Sequence, residues 1–105
     1  MLRFTWDPAK ARRNLAKHGV SFEEASHVFA DPSALMLQDR VVDGEERWQA
    51  VGRAASGRVL VVAHAARISI ADELIRIISA RRALRHERNY YERQAHKESP
   101  TPFFP

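Results

Sequence analysis

The chain has 105 residues, a formal net charge of +4 and no cysteine, which fits one domain and excludes a disulfide framework, a thiol nucleophile and a cysteine-ligated zinc. Hydrophobic residues make up 45% and charged residues 29%, a globular balance; no apolar run approaches the roughly 20 residues that span a bilayer, and the opening MLRFTWDPAK lacks the apolar stretch of a signal peptide. A cytoplasmic protein with no membrane contact is therefore expected, and its pI near 10.1 favours a polyanionic partner.

Leu2 to Trp6 alternates loosely and is compatible with a short edge strand. Asp7-Pro8 then opens a helix, with Asp7 as N-cap and Pro8 at the first helical position. The helix runs to about His18 and stops at Gly19, a residue suited to a left-handed cap. Lys17 and His18 fall in its last turn, where positive charge complements the helix dipole. Ser21 with Glu24 reads as a capping box for a second helix. Phe22, Ala25, Val28 and Phe29 give that helix an apolar stripe, and Asp31-Pro32 ends it.

From Ala34 the period changes. Segments 34–40, 46–53, 58–66 and 74–80 read as four strands. Asp43-Gly44 and Ser56-Gly57 are turn signals, so an antiparallel meander is predicted, with residues 65–73 as a longer loop. A last helix is predicted from about Arg82 to Lys97, with Leu84, Tyr91 and Ala95 as a partial apolar stripe. The fold class is α+β: two N-terminal helices, a four-stranded antiparallel sheet and a C-terminal helix, with the helices on one side of the sheet. Residues 1–98 form the domain, and 99–105 (SPTPFFP) form a flexible tail.

Charge is unevenly placed. Between Arg76 and Arg93 stand six arginines and two glutamates, so this stretch carries the net charge of the whole chain, +4. All its cations are Arg, whose planar fork grips phosphate in a bidentate way. The five histidines show no ligand spacing, so no metal site and no cofactor are predicted. No Gly-rich phosphate loop or nucleophile elbow is present. RNA carries its own nucleophile, the 2′-hydroxyl, so a protein that cuts it needs only a proton acceptor, a proton donor and cations. His64 or Glu46 could move the proton while Arg47 and Arg81 carry charge; these four are the candidate catalytic residues. Lys17, Arg53, Arg67, Arg76, Arg82, Arg85 and Arg88, with Tyr91 among them, are the candidate nucleic-acid contacts. Packing is the competing role for His64 in its valine-rich strand, a surface pair for Glu46 and Arg47, and the core for Trp48, which could instead stack a base.

The segment F-T-W-D-P-A-K-x-x-x-N-x-x-K-H-G-V-S-F-E-E-A (Phe4 to Ala25) resembles the opening of the BrnT family of type II toxins. V-F-A-D (28–31), E-E-R-W (45–48), V-G-R (51–53), L-V-V-A-H (60–64), R-I-I-S-A-R-R-A (76–83) and E-R-x-x-Y-E (87–92) follow in the family's order. The resemblance implies a RelE/ParE-like fold and a ribonuclease that blocks translation. It also implies a BrnA-type antitoxin whose dimer gathers two toxins and binds operator DNA for the pair. Leu84 departs from the family pattern, where a Thr is common, and the 65–73 loop looks longer than usual. A non-enzymatic nucleic-acid-binding module, or a gyrase-poisoning toxin of the same fold, is the alternative.

Overall fold

The computed structural model describes residues 2–98, so the predicted tail lies outside the described residues. Five strands form one sheet in the order β1-β5-β4-β3-β2. They are β1 (Leu2–Thr5), β2 (Leu35–Val42), β3 (Glu45–Arg53), β4 (Val59–Ile68) and β5 (Glu73–Arg82). Helices α1 (Pro8–His18) and α2 (Phe22–Ser26) lie between β1 and β2, and α3 (Arg85–Glu98) follows β5. The expected four-stranded antiparallel sheet is therefore corrected to a five-stranded mixed one. Leu2 to Thr5 pairs parallel with Glu73 to Arg76 and fills the open edge of β5. A four-residue strand is too short for its alternation to announce this pairing.

Further expectations change. The second helix keeps α-geometry only to Ser26 and tightens into a 3₁₀ turn, His27–Ala30. That turn presses Val28 onto β3 at Gly52, where a Cβ would come within 2.9 Å of the Val28 side chain. Most of the expected 65–73 loop is strand: β4 runs to Ile68, β5 starts at Glu73, and Ser69 to Asp72 close a tight turn. Because β5 continues to Arg82, α3 begins only at Arg85. The turn at Asp43-Gly44 is as predicted, with φ of 51° and 78°, the two left-handed positions of a type I′ hairpin.

The helices do not share one side. α1, α2 and the 3₁₀ turn cover one face, where Val20, Phe22, Ala25 and Val28 pack on Ala50, Leu60, Val62, Ile75, Ile77 and Ala80. On the other face Tyr91 of α3 packs over Val51, Val59 and Val61. Deleting burial from the first cluster is the costly change, since each fully buried aliphatic side chain contributes roughly 1.5–3 kcal/mol.

Two polar side chains fix the helix layer to the sheet. Asn14 is buried; its amide donates to the carbonyls of Val20 (2.9 Å) and Ala80 (2.8 Å) and accepts from Ala80 N–H (3.0 Å). Ser21 caps α2 by accepting from Glu24 N–H at 3.0 Å. The reciprocal half of the predicted capping box is replaced: the Glu24 carboxylate accepts from Ser56 and from Arg58 of the β3–β4 hairpin. Gly19 closes α1 at φ 69°, donating to Leu15 O at 2.9 Å.

Candidate nucleic-acid interface

Alternation along a strand decides which residues meet. On β3, Glu45, Arg47, Gln49 and Val51 share the α3 face; Glu46 and Trp48 belong to the other. On β4, Ala63 and Ala65 lie with the α3 face, while His64 turns toward the helix layer and meets Phe29 edge-on at 4.8 Å. On β5 the register shifts by one residue between the pairs Ala63↔Ser79 and His64↔Ile77. This bulge has a consequence for the charges. Arg76 pairs with Ala65 and Arg81 with Val61, so the two arginines, five positions apart, face the same way. An unbulged strand would send them to opposite faces.

The result is a floor of small side chains, Ala63, Ala65 and Ser79, bounded by cations. At one end Arg76 forms a two-pronged pair with Glu45 (3.1 and 2.6 Å), and Arg47 reaches the same carboxylate at 3.2 Å. Glu45 thus links β3 to β5 across β4. Arg76 first, then Arg47, hold its carboxyl below the usual range. At the other end Arg81 forks onto Glu87 of α3 (2.7 and 2.9 Å). The Arg81 bonds, with Leu84 N–H at 2.8 Å, bring the Glu87 pKa down to about 2. Glu87 in turn raises that of Arg81.

Arg53 continues this face. Its guanidinium binds Glu92 of α3 at 3.1 Å and sits 5.9 Å from the Tyr91 ring centre. Tyr91 donates to Asp31, whose carboxylate also accepts from Arg53 N–H at 2.8 Å. Burial, then the bond to Asp31, pushes the Tyr91 pKa up to about 12. Arg82, Arg88, Arg53 and Arg58 line a cleft of about 700 Å³ where β5, α3 and the β3–β4 hairpin meet. Arg85 opens α3, Arg67 is exposed near the end of β4, and Lys17 stands apart in the last turn of α1.

The four candidate catalytic residues are not brought together. Arg47 and Arg81 are on the α3 face. Glu46 and His64 are on the opposite one, where both line a groove of about 800 Å³. His64 is 3% exposed, and its Nδ1 lies 3.1 Å from Val62 O. Burial lowers its pKa, so the ring is neutral at pH 7. The residue missed by the sequence reading is Glu45. The signal was available: in E-E-R-W the carboxylate on the same side as Arg47 is two positions away, not one. Glu87 was missed because its partner, Arg81, is defined only by where α3 docks. Among the described residues no group of three or more His, Asp or Glu is placed to hold a metal ion.

A mixed five-stranded sheet with arginines arrayed on the face that carries its last helix defines a small α+β protein fitted to a polyanion. A family model, the ribonuclease toxin BrnT of type II toxin–antitoxin systems, matches residues 6–87. The chain belongs to the BrnT family and is a BrnT-like ribonuclease toxin of such a system, which implies an RNA target and an antitoxin partner. The fold is similar to the 1.1 Å crystal structure of the Brucella abortus ribonuclease toxin BrnT, with a TM-score of 0.60 and 24% identity, covering 81% of this chain and 100% of that one. No curated protein matches the chain. Among the described residues no helix is long and apolar enough to cross a membrane.

Proposed function

We propose that the chain is a metal-independent endoribonuclease of RelE/ParE-like plan, folded as residues 1–98. In this reading it blocks translation by cutting RNA and is neutralised by a BrnA-type antitoxin, two toxins to an antitoxin dimer. The observation that carries the proposal is the set Arg47, Arg76 and Arg81 on one face of the sheet, with Glu45 held between the first two.

The chemistry follows from those groups. The RNA 2′-hydroxyl attacks the adjacent phosphorus, and negative charge accumulates on the phosphorane oxygens. The P–O5′ bond then breaks, and the leaving 5′-oxygen takes a proton from water or from the Glu45 carboxyl that received the 2′-hydroxyl proton. Arginine keeps its proton near neutral pH, so Arg47, Arg76 and Arg81 act through charge and hydrogen bonds. Glu45 is the carboxylate on their side. In the free protein Arg76 and Arg47 make it a weak base. A phosphate that competes for those two guanidinium groups loosens their hold and returns Glu45 toward the ordinary carboxylate range. There it accepts the 2′-hydroxyl proton more readily. Substrate binding thus readies the base. Arg53, Arg67, Arg82, Arg85 and Arg88 supply the flanking contacts, and Lys17 is a remote one. Tyr91, expected among them, is buried and bonded to Asp31, so it backs Arg53 rather than meeting RNA. Glu46 and His64 lie on the far side of the sheet, so they carry the proton only if RNA enters the groove there.

The test is RNA incubated with purified toxin in excess EDTA, with the cut ends mapped. Transesterification leaves a 2′,3′-cyclic phosphate and a 5′-hydroxyl. Glu45→Gln is expected to abolish cutting while RNA binding persists. If His64→Ala does so instead, in a folded protein, the proton route runs through the groove. RNA bound without being cut would return the reading to a binding module, and DNA damage in place of stalled translation would indicate a gyrase poison.

A further inference from the structure

The face opposite the arginines is only half covered. α1, α2 and the 3₁₀ turn close over Leu60, Val62, Ile77 and Ala80. Beyond Phe29 the sheet is left open, and the 800 Å³ groove runs across the strands from Leu2 on β1, past Ile75 and Ala66, to Trp48 on β3 and Met36 on β2. Its walls are exposed apolar side chains: Leu2 is 39%, Met36 47% and Ile68 75% exposed. Glu46 and Glu73 stand among its lining residues against a single basic one, Arg67; Glu45, at its rim, is turned to the other face and neutralised by Arg76 and Arg47. This acidic margin lies on a chain whose net charge is +4.

Those three properties select an occupant. Four inter-strand spacings of about 4.8 Å give a length of roughly 19 Å, the span of a helix of about 13 residues at 1.5 Å each. A sheet face of this kind is closed by a helix with one apolar stripe, as α1 and α2 close the other half. The carboxylates favour lysine or arginine on the flanks of that helix and oppose a phosphate chain. They also oppose a second copy of this chain, which would set the same acidic margin against itself. We infer that the groove takes an amphipathic helix of the antitoxin, apolar on one side with basic flanks, which completes the helix layer. The inference rests on the reading of the chain as an antitoxin-bound toxin. It assigns the antitoxin an anchor on the side of the sheet away from the arginines.

The absence of cysteine makes the test direct. A Met36→Cys variant carries one thiol, which takes an environment-sensitive dye. Adding the cognate antitoxin is expected to shift the emission to the blue and raise its intensity severalfold. Met36→Lys and Glu73→Lys are each expected to weaken the toxin–antitoxin complex at least tenfold. RNA cutting by the free toxin, and its melting temperature, are expected to stay unchanged. An unmoved dye, with antitoxin affinity insensitive to both substitutions, would overturn the inference while leaving the toxin reading intact. A dye moved by RNA and not by the antitoxin would overturn it in favour of a substrate groove. A wild-type chain that neither cuts RNA nor binds the antitoxin would overturn the reading beneath it.

Discussion

The two faces of this sheet are held by different physics. On the helix-covered face the ties are buried and neutral: Asn14 satisfies three backbone groups that otherwise have no water to turn to. On the α3 face the ties are half-exposed ion pairs, Arg76–Glu45, Arg81–Glu87 and Arg53–Glu92. Exposed pairs of this kind contribute little to stability, typically about 0–1 kcal/mol. A buried polar group stripped of its partner costs about 1–3 kcal/mol. One face therefore carries the fold, and the other can exchange its carboxylate partners for phosphates with little loss of stability.

The sharpest way to break this contrast is at Asn14. Asn14→Ala leaves the N–H of Ala80 and two carbonyls without partners in the core, an expected loss on the order of 4 kcal/mol. For a 97-residue described domain that is a large share of the total. Denaturant unfolding measures it. An Asn14→Ala protein that unfolds at the wild-type midpoint would remove the distinction between the faces.

Arg76→Ala and Arg81→Ala probe the other side. Each is expected to lower RNA cutting by about 10²- to 10³-fold, the usual effect of losing one charge-stabilising donor. Each is also expected to move stability by less than about 0.5 kcal/mol, as exposed pairs do. Removing one arginine–phosphate pairing makes the dependence of log K on log salt shallower by about 0.7 for single strands. Single-turnover cutting and a salt titration read the two quantities separately. A loss of cutting that tracks a loss of folded protein would mean the arginines are structural.

How much of this was legible beforehand depends on the range of the signal. The caps of α1, the hairpin turns and the strand cores were readable, because Asp7-Pro8, Gly19 and Asp43-Gly44 act on their own neighbours. The parallel β1–β5 pairing was not, since it joins residues about 70 positions apart and rests on four residues. The bulge in β5 is the deeper loss. Nothing in R-I-I-S-A-R-R marks where one residue drops out of register, yet that single residue puts Arg76 and Arg81 on one face. The placement of His64 and Arg81 on opposite faces was hidden for the same reason: a set of charged and titratable residues has no sides until the register is known. Glu45 was the exception, recoverable from strict alternation within four residues.

A smaller effect comes from acid. Glu87 has a folded pKa of about 2, chiefly through Arg81, against an ordinary value of 4.5. A depressed carboxyl contributes stability that is fully present above pH 4.5 and is lost as pH falls toward 2. Because Arg81 is 37% exposed on its side chain, solvent reduces the contribution well below what the shift alone suggests. In Glu87→Gln the stability curve is expected to flatten between pH 4.5 and 2 relative to wild type. Since Glu24 is also held low, by Arg58 first, some acid dependence remains in that variant. Identical acid limbs for the two proteins would show that α3 is held without the Arg81–Glu87 pair.

The smallest expected effect, Ser21→Ala, sharpens the comparison within the helix-covered face itself. Ser21 makes one cap bond, to Glu24 N–H at 3.0 Å, and the Glu24 carboxylate is committed to Arg58 and Ser56. The two halves of the sequence motif S-F-E-E therefore do separate jobs: one starts α2, the other ties α2 to the β3–β4 hairpin. Loss of the single cap bond is expected to cost about 1 kcal/mol. Glu24→Gln weakens the tie to Arg58 and leaves the cap in place. If the residues act separately, the double variant shows the sum of the two losses within about 0.5 kcal/mol. In a closed capping box Glu24 would reach back to the Ser21 backbone, and each substitution would blunt the other. A double-mutant cycle by denaturant unfolding distinguishes the cases: coupling well above about 0.5 kcal/mol would place Glu24 on the cap and take Arg58 out of the anchor.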